Sequence, residues 1–209
     1  MILRVSLLLL ALLLPAAAQA QLIVPLTTAD GRVACTQGMT GIGRPPNWQA
    51  VADERAPDGW ALAEMAGDAT DLRFPLCISA NITARDVDAT LRFKVISGTR
   101  EQAAGILIRA QSAADYYVVR ASALDGSVRL YRVAAGRRQQ IGGKEAPVKI
   151  GEWHTLRLRV VGDTFDVDLD GKRLFSATDG GLRERGPIGV WSQADSVVHF
   201  GSLLLSEPR

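Results

Sequence analysis

An all-β sandwich or barrel is the fold this sequence predicts, and three observations predict it. Apolar and polar residues alternate with period two in many short runs, which sends successive side chains to opposite faces of a sheet. The runs recur about every eight to twelve residues, with Gly, Asp-Gly and Pro turn signals between them. No amphipathic helical stretch of useful length interrupts them.

In chain order, residues 21–46 read as an irregular N-terminal segment, broken by Asp30-Gly31, Gly38, Gly41 and Gly43 and ended by Pro45-Pro46. Trp48 and Trp60 flank a turn at Ala56-Pro57-Asp58-Gly59, and Leu62 to Met65 fits a helical turn. Arg73 to Ala80 reads as a strand, with Pro75 placing it at a sheet edge. The longest clean alternation follows: Val87, Ala89, Leu91, Phe93 and Val95 against Asp88, Thr90, Arg92 and Lys94. Strands are expected at 105–110, 116–121 and 127–133, with Asp125-Gly126 and Ala135-Gly136 among the separators. Gln139 to Val148 reads as a Gly-containing connector or one irregular strand. Trp153 to Phe175 then gives a three-strand meander. Leu156, Leu158 and Val160 form one oily parity, and Phe165, Val167 and Leu169 continue it past Gly162-Asp163. Asp170-Gly171 supplies a tight hairpin turn. Pro187 to Gln193 and Val197 to Leu205 complete a set of roughly ten to thirteen strands.

Residues 1–20 have the pattern of a signal peptide. Arg4 is the basic n-region, Val5 to Leu14 the apolar core, and Ala18-Gln19-Ala20 the small-residue cleavage site. The apolar core is short for a bilayer span. Residues 21–209 are then expected as one β-sandwich domain, exported to the periplasm or beyond. Loss of Arg4 leaves the basic set one short of 24, against 22 acidic residues. So even a balance points away from nucleic acid and anionic membrane as partners. Cys35 and Cys77 are the two cysteines, and in an oxidising compartment a disulfide between them is the default reading. Two buried free thiols are the competing arrangement.

Several chemistries are excluded. Asp166-Val167-Asp168-Leu169-Asp170-Gly171 imitates the start of an EF-hand, but its twelfth position is Ala177 where a bidentate carboxylate is needed. His154 and His199 are too few to add a metal site. There is no Gly-x-Ser-x-Gly elbow, and Gly142-Gly143-Lys144 lacks the rest of a phosphate loop. No metal or cofactor is expected. What remains is a polar sheet face. Lys94 shares the outward parity of Arg92, Arg109 ends the next strand, and Tyr116 shares a parity with Arg120. Trp191 points opposite to Ile188 and Val190, which predicts an exposed indole platform unless a bulge at Gly186-Pro187 or Gly189 turns it into the core. Aromatic faces cover the apolar side of a sugar, and Arg and Lys donate to its hydroxyls.

The segments RFKVISG (92–98), AAGILIRAQ (103–111), DYYVVRASAL (115–124), VRLYRV (128–133), WHTLRLRV (153–160), VDLDGKRLF (167–175) and GPIGVWSQADSVVHF (186–200) carry a family pattern. Together they resemble the concanavalin A-like lectin/glucanase superfamily, and within it the laminin-G-like, 3-keto-disaccharide hydrolase-type domain. The resemblance implies a jelly-roll sandwich of two curved antiparallel sheets with ligand on the concave one. It implies carbohydrate as the ligand class, with Lys94, Arg109, Tyr116, Arg120, Trp191 and Asp195 as candidate ligand-binding residues. The functional expectation is an exported carbohydrate-recognition or carbohydrate-processing module. A 3-keto-glycoside hydrolase, or a non-catalytic protein-interaction sandwich, are the alternatives.

Overall fold

The computed structural model describes residues 20–208. The expected signal peptide lies outside the described residues, apart from Ala20. The chain forms β1 (Leu22–Val24), β2 (Thr36–Gly41), β3 (Trp48–Ala52), β4 (Trp60–Glu64), β5 (Arg73–Ala84), β6 (Val87–Ser97), β7 (Ala103–Ser112) and β8 (Asp115–Ser122). It continues with β9 (Ser127–Ala134), β10 (Arg137–Glu145), β11 (Trp153–Val161), β12 (Thr164–Leu169), β13 (Lys172–Thr178), β14 (Gly186–Ser192) and β15 (Val197–Ser206). One eight-stranded sheet runs β13-β12-β11-β6-β15-β4-β3, with β1 also on β15; one seven-stranded sheet runs β10-β9-β8-β7-β14-β5-β2. The pairings are antiparallel, and the two sheets form a sandwich, as the alternation predicts.

The core lies where the oily parities meet. Val87, Ala89, Leu91, Phe93 and Val95 of β6 face it, with Leu156, Leu158 and Val160 of β11 and Phe165 and Val167 of β12. The seven-stranded sheet answers with Ile106 and Ile108, Val119 and Ala121, Val128 and Leu130, and Ile188 and Val190. Each such side chain, fully buried, contributes about 1.5–3 kcal/mol of transfer free energy. The meander of β11, β12 and β13 stands as read. Its acidic parity faces outward and is matched by arginines. Register sets Arg157 opposite Asp168 and Arg159 opposite both Asp166 and Asp88. Arg157 binds Asp88 through Nε at 2.7 Å and Asp168 through Nη1 at 3.0 Å. So the aspartates that imitate a calcium loop are half of a cross-strand charge ladder.

Three expectations are corrected. Leu62 to Met65 is not a helical turn; Leu62 to Glu64 belong to β4, and Met65 follows it. The N-terminal segment is not irregular throughout, since it holds β1 and the edge strand β2. Strand β5 is therefore not an edge. Pro75 is accommodated because it pairs with Met39 of β2, while the ladder to β14 starts only at Leu76. Of the two readings of Gln139 to Val148, the irregular strand holds: most of the segment is β10, bulged between Gln140 and Gly142. A Cβ on Gly142 would stand 2.9 Å from the ring of Phe175 on β13, so the bulge brings the two sheets close at this margin. Cys35, just ahead of β2, forms a disulfide with the buried Cys77 of β5; their Cα atoms are 5.4 Å apart.

Candidate functional site

The outer face of the seven-stranded sheet carries the candidate site. Register lays one row across it: Leu76 on β5, Trp191 on β14, Gly105 on β7, Arg120 on β8 and Arg129 on β9. The neighbouring row holds Ile78, Gly189, Leu107, Val118 and Tyr131. A third joins Tyr116, Val133 and Arg138 on β8, β9 and β10. Trp191 does point away from Ile188 and Val190, as its parity predicts. The predicted exposure is wrong: its relative exposure is 0%.

The cause is long-range curl. Arg138 and Phe74 sit on β10 and β5, five strand spacings apart, which on a flat sheet is about 24 Å at roughly 4.8 Å per strand. Yet the Arg138 guanidinium lies 4.3 Å from the centre of the Phe74 ring. The sheet bends so far across its own outer face that two diagonal corners meet. Thr40 of the edge strand β2 hydrogen-bonds the Tyr116 hydroxyl at 2.8 Å and donates to the carbonyl of Ala113 in the β7–β8 turn. Under this seam lies a second small core of Phe74, Leu76, Leu107, Tyr116, Val118, Val133 and Trp191. Trp191 stacks on Phe74 with centroids 5.6 Å apart and planes 15° apart, and its Nε1 donates to the Tyr116 hydroxyl at 3.3 Å. Gly105 is the floor beneath the indole. A Cβ there would sit 2.8 Å from the Val119 carbonyl and 3.3 Å from the indole.

The same face also carries polar groups, Arg120 on β8 and Arg138 at the seam itself. Arg120 is nine-tenths buried and donates from Nη2 to Asp125 Oδ2 at 2.9 Å. Burial works hardest against its charge, but the hydrogen bond to Asp125, with Tyr131 and Glu101 nearby, raises its pKa overall. Its buried Nε has no acceptor. Arg138 donates from Nη1 to Gln193 Oε1 at 3.0 Å and lies over Phe74 and, at 5.2 Å, over Tyr131. Burial, together with the positive charge of Arg120, pulls its pKa down from the usual guanidinium value. Beside it, Leu72, Phe74, Tyr131, Gly136, Arg137 and Arg138 line a pocket of about 400 Å³. The arrangement offers hydrogen-bond donors of fixed direction next to aromatic edges.

The remaining sequence-predicted residues lie elsewhere. Lys94 is on the outer face of the other sheet, paired with Asp53 and 5.0 Å from the Trp153 ring. Asp53 also takes a 2.7 Å contact from His199 Nδ1. Arg109 is fully buried at one end of the sandwich. Its backbone has φ 52°, and the β7–β8 register shifts between Ile108 and Ser112, so the strand parity is broken there. Its guanidinium donates to the carbonyls of Arg85, Leu182 and Gly162, at 2.8, 3.1 and 2.6 Å, and so ties three connections together. Asp195 sits in the β14–β15 turn and accepts from the backbone N–H groups of Thr99, Arg100 and Glu101. Burial opposes its charge, and the Thr99 hydroxyl and these N–H groups outweigh burial to hold its carboxyl low. So the fold brings Tyr116, Arg120 and Trp191 to one face and separates Lys94, Arg109 and Asp195 from them.

Sequence reasoning missed Tyr131, Arg138, Phe74 and Gln193. Tyr131 was within reach, since Val128 and Leu130 fix the parity of β9. Arg138 was legible once Ala135-Gly136 is taken as a two-residue hairpin turn. Both turn residues have positive φ, 48° and 75°, as the tight hairpin geometry requires. Phe74 and Gln193 reach the site only through the curl, which no local pattern announces.

Neither a protein-family model nor a curated protein matches the sequence. Solved structures do match. The carbohydrate-binding module CBM66 from Bacillus subtilis superposes with a TM-score of 0.64 at 16% identity, over 86% of this chain and 99% of that one. A Bacillus licheniformis β-glucanase gives 0.59 at 9% identity, over 92% and 100%. Domain 4 of AbnA, a GH43 extracellular arabinanase from Geobacillus stearothermophilus solved with arabinotriose, gives 0.56 at 11% identity, over 90% and 93%. At such identities the likeness is one of fold, and the fold is the concanavalin A-like sandwich of glucanases and galectin-like proteins.

Proposed function

We propose that this chain is an exported carbohydrate-recognition module whose ligand lies on the outer face of the seven-stranded sheet, at Arg120, Tyr131 and Arg138. The observation that carries the reading is the surplus of oriented donors. Most of the Arg138 fork has no protein acceptor among the described residues, yet the guanidinium is held between the Phe74 ring and the half-buried, hydroxyl-bearing ring of Tyr131, with Arg120 on the same face. Sugar hydroxyls supply acceptors, and a pyranose or furanose ring supplies an apolar edge. Trp191 and Tyr116 support this surface from beneath. The leader-like N-terminus and the Cys35–Cys77 disulfide support export.

Recognition fits the site better than hydrolysis. The carboxylates nearest Arg120 are already engaged: Glu101 accepts from Ser122 at 2.7 Å, and Asp125 from Ser127 at 2.7 Å and from Arg120. Asp125 is held ionised, its burial outweighed by the Arg120 hydrogen bond, so it has no proton to donate to a leaving group. A glycan array probed with the chain from Gln21 onward, run beside a 3-keto-disaccharide turnover assay, tests the reading. Glycan binding lost in Tyr131→Ala and Arg120→Ala, without turnover, is the expected result. Turnover would move the chain to the hydrolases. Silence in both assays would leave a protein-interaction sandwich.

A further inference from the structure

We infer that the pocket beside Arg138 takes an anionic sugar residue, one carrying a carboxylate on its ring, as in a hexuronate. This rests on the carbohydrate reading above and adds the ligand's charge.

The argument starts from how this chain treats its arginines. Across the outer face of the eight-stranded sheet most are neutralised: Arg157 by Asp88 and Asp168, Arg159 by Asp166, and Arg173 by both Asp166 and Asp168, while Arg92 stacks on Trp153 and donates to the Arg55 carbonyl. On the seven-stranded sheet Arg120 has Asp125, and Arg129 has Glu145 at 3.4 Å. The fully buried Arg73 has Glu64 at 2.9 Å. Arg138 departs from the ion-paired pattern as Arg92 does, and it lines a pocket. It is half-buried, and among the described residues it has no carboxylate within ion-pair distance. Its protein acceptor is the neutral amide oxygen of Gln193. Two aromatic rings hold its plane in place. Burying a cation without a direct ion pair is costly; burial lowers its pKa, and the more distant Asp71 carboxylate offsets this only in part.

The pocket reinforces the point. Its lining includes Arg137 and Arg138 and no acidic residue, and Arg137 too has no ion pair among the described residues. The remaining walls, Leu72, Phe74 and Tyr131, are apolar or aromatic. An anion with a compact apolar ring beside it matches both halves. A carboxylate can take two parallel N–H bonds from the guanidinium fork, which a hydroxyl cannot. The volume of about 400 Å³ is at the small end of ligand pockets, which suits one or two sugar units rather than a long chain lying across the sheet.

Calorimetric titration of the chain from Gln21 onward decides the matter, using three ligands: an oligouronate, the same oligosaccharide with its carboxyls reduced to alcohols, and that reduced oligosaccharide carrying anionic sulfate esters. The expected result is an oligouronate affinity about tenfold or more above the carboxyl-reduced form, as befits a charge-assisted bidentate pair. That advantage should shrink as salt is raised and vanish in Arg138→Gln. Arg138→Lys, which keeps the charge and loses the fork, should retain only part of it. Thermal melts of both variants show that they are folded. Equal affinity for the acidic and reduced ligands overturns the charge assignment and leaves the carbohydrate reading intact. Preference for the sulfated ligand overturns the carboxylate assignment. An Arg138→Gln variant that is folded and keeps the full advantage overturns the site. No binding of any of the three overturns the carbohydrate reading itself.

Discussion

Trp191→Ala tests whether the curled face is a second core or an open platform. Trp191 is fully buried, and its indole makes three separate contacts: the stack on Phe74, the bond from Nε1 to Tyr116 and the seat over Gly105. A buried Trp removes about 150–250 Å² from water, worth roughly 4–6 kcal/mol at about 25 cal/mol per Å² as an upper bound. The Ala that replaces it retains a small part of that. Stacking adds about 0.5–1.5 kcal/mol beyond the area. Removal also leaves the Tyr116 hydroxyl without one donor, though its bond to Thr40 remains. We expect a loss of about 4 kcal/mol, within the roughly 3–5 kcal/mol seen for large aromatic truncations in cores. Urea melts followed by far-UV circular dichroism should show a lower midpoint with an unchanged slope. Loss of less than about 1 kcal/mol, the size expected of an exposed residue, would refute the second core and restore the open platform.

Three further outcomes follow from the geometry. Thiol counting on the unfolded, unreduced exported chain should find no free thiol. Reduction should then lower stability by about 4 kcal/mol, the chain-entropy value for closing a loop between cysteines 42 residues apart, and an unchanged melt would contradict it. Glu64→Gln should cost about 3–5 kcal/mol, because it strands the fully buried Arg73, which also binds the carbonyls of Arg44 and Ala194; the double change Glu64→Gln/Arg73→Met should cost less than the two single changes combined. Asp68, hydrogen-bonded first by the backbone N–H of Arg44 and then by Thr70, is lowered to about 2 from 3.8. A depressed carboxyl stabilises the fold above its unfolded pKa and loses that contribution as pH falls through the folded one. Asp68→Asn should therefore flatten the acid limb of the stability curve between about pH 4 and pH 2, and a titration of Asp68 at an ordinary value would disprove the cause.

Sequence made the sandwich legible because β6, β11, β12 and β15 bury one face and wet the other. That condition writes period two into the chain. It failed where the condition fails. Strand β2, Thr-Gln-Gly-Met-Thr-Gly, pairs along one edge only and has no apolar parity to display. Parity also stops at a bulge. Arg109 takes a left-handed backbone and leaves the face that its neighbours predict. The subtler failure is Trp191. Alternation states which face a side chain belongs to, and it was right. It does not state whether that face is covered, since covering it required strands β10 and β5 to meet across four others. The site was half legible for the same reason: Arg120 and Tyr116 by parity, Arg138 and Phe74 only after the curl.

The curl also explains why an apolar face and a cationic site share one sheet. An eight-residue strand such as β8 presents Tyr116, Val118 and Arg120 on the same side. Left flat, that face would expose Trp191, Phe74, Leu107 and Val133 together, a patch large enough to invite aggregation. Bending one diagonal shut removes it from water, and the backbone can bend there because Gly105 and Gly189 have no side chains to obstruct it. A Cβ on Gly189 would lie 2.2 Å from the Cys77 carbonyl. The pocket lies at the mouth of this seam, since Phe74 and Arg138, which meet across it, also line the pocket. Residues at the seam then serve both halves. Arg138 holds the closed diagonal through Phe74 and Gln193 while turning its unsatisfied donors toward the open pocket.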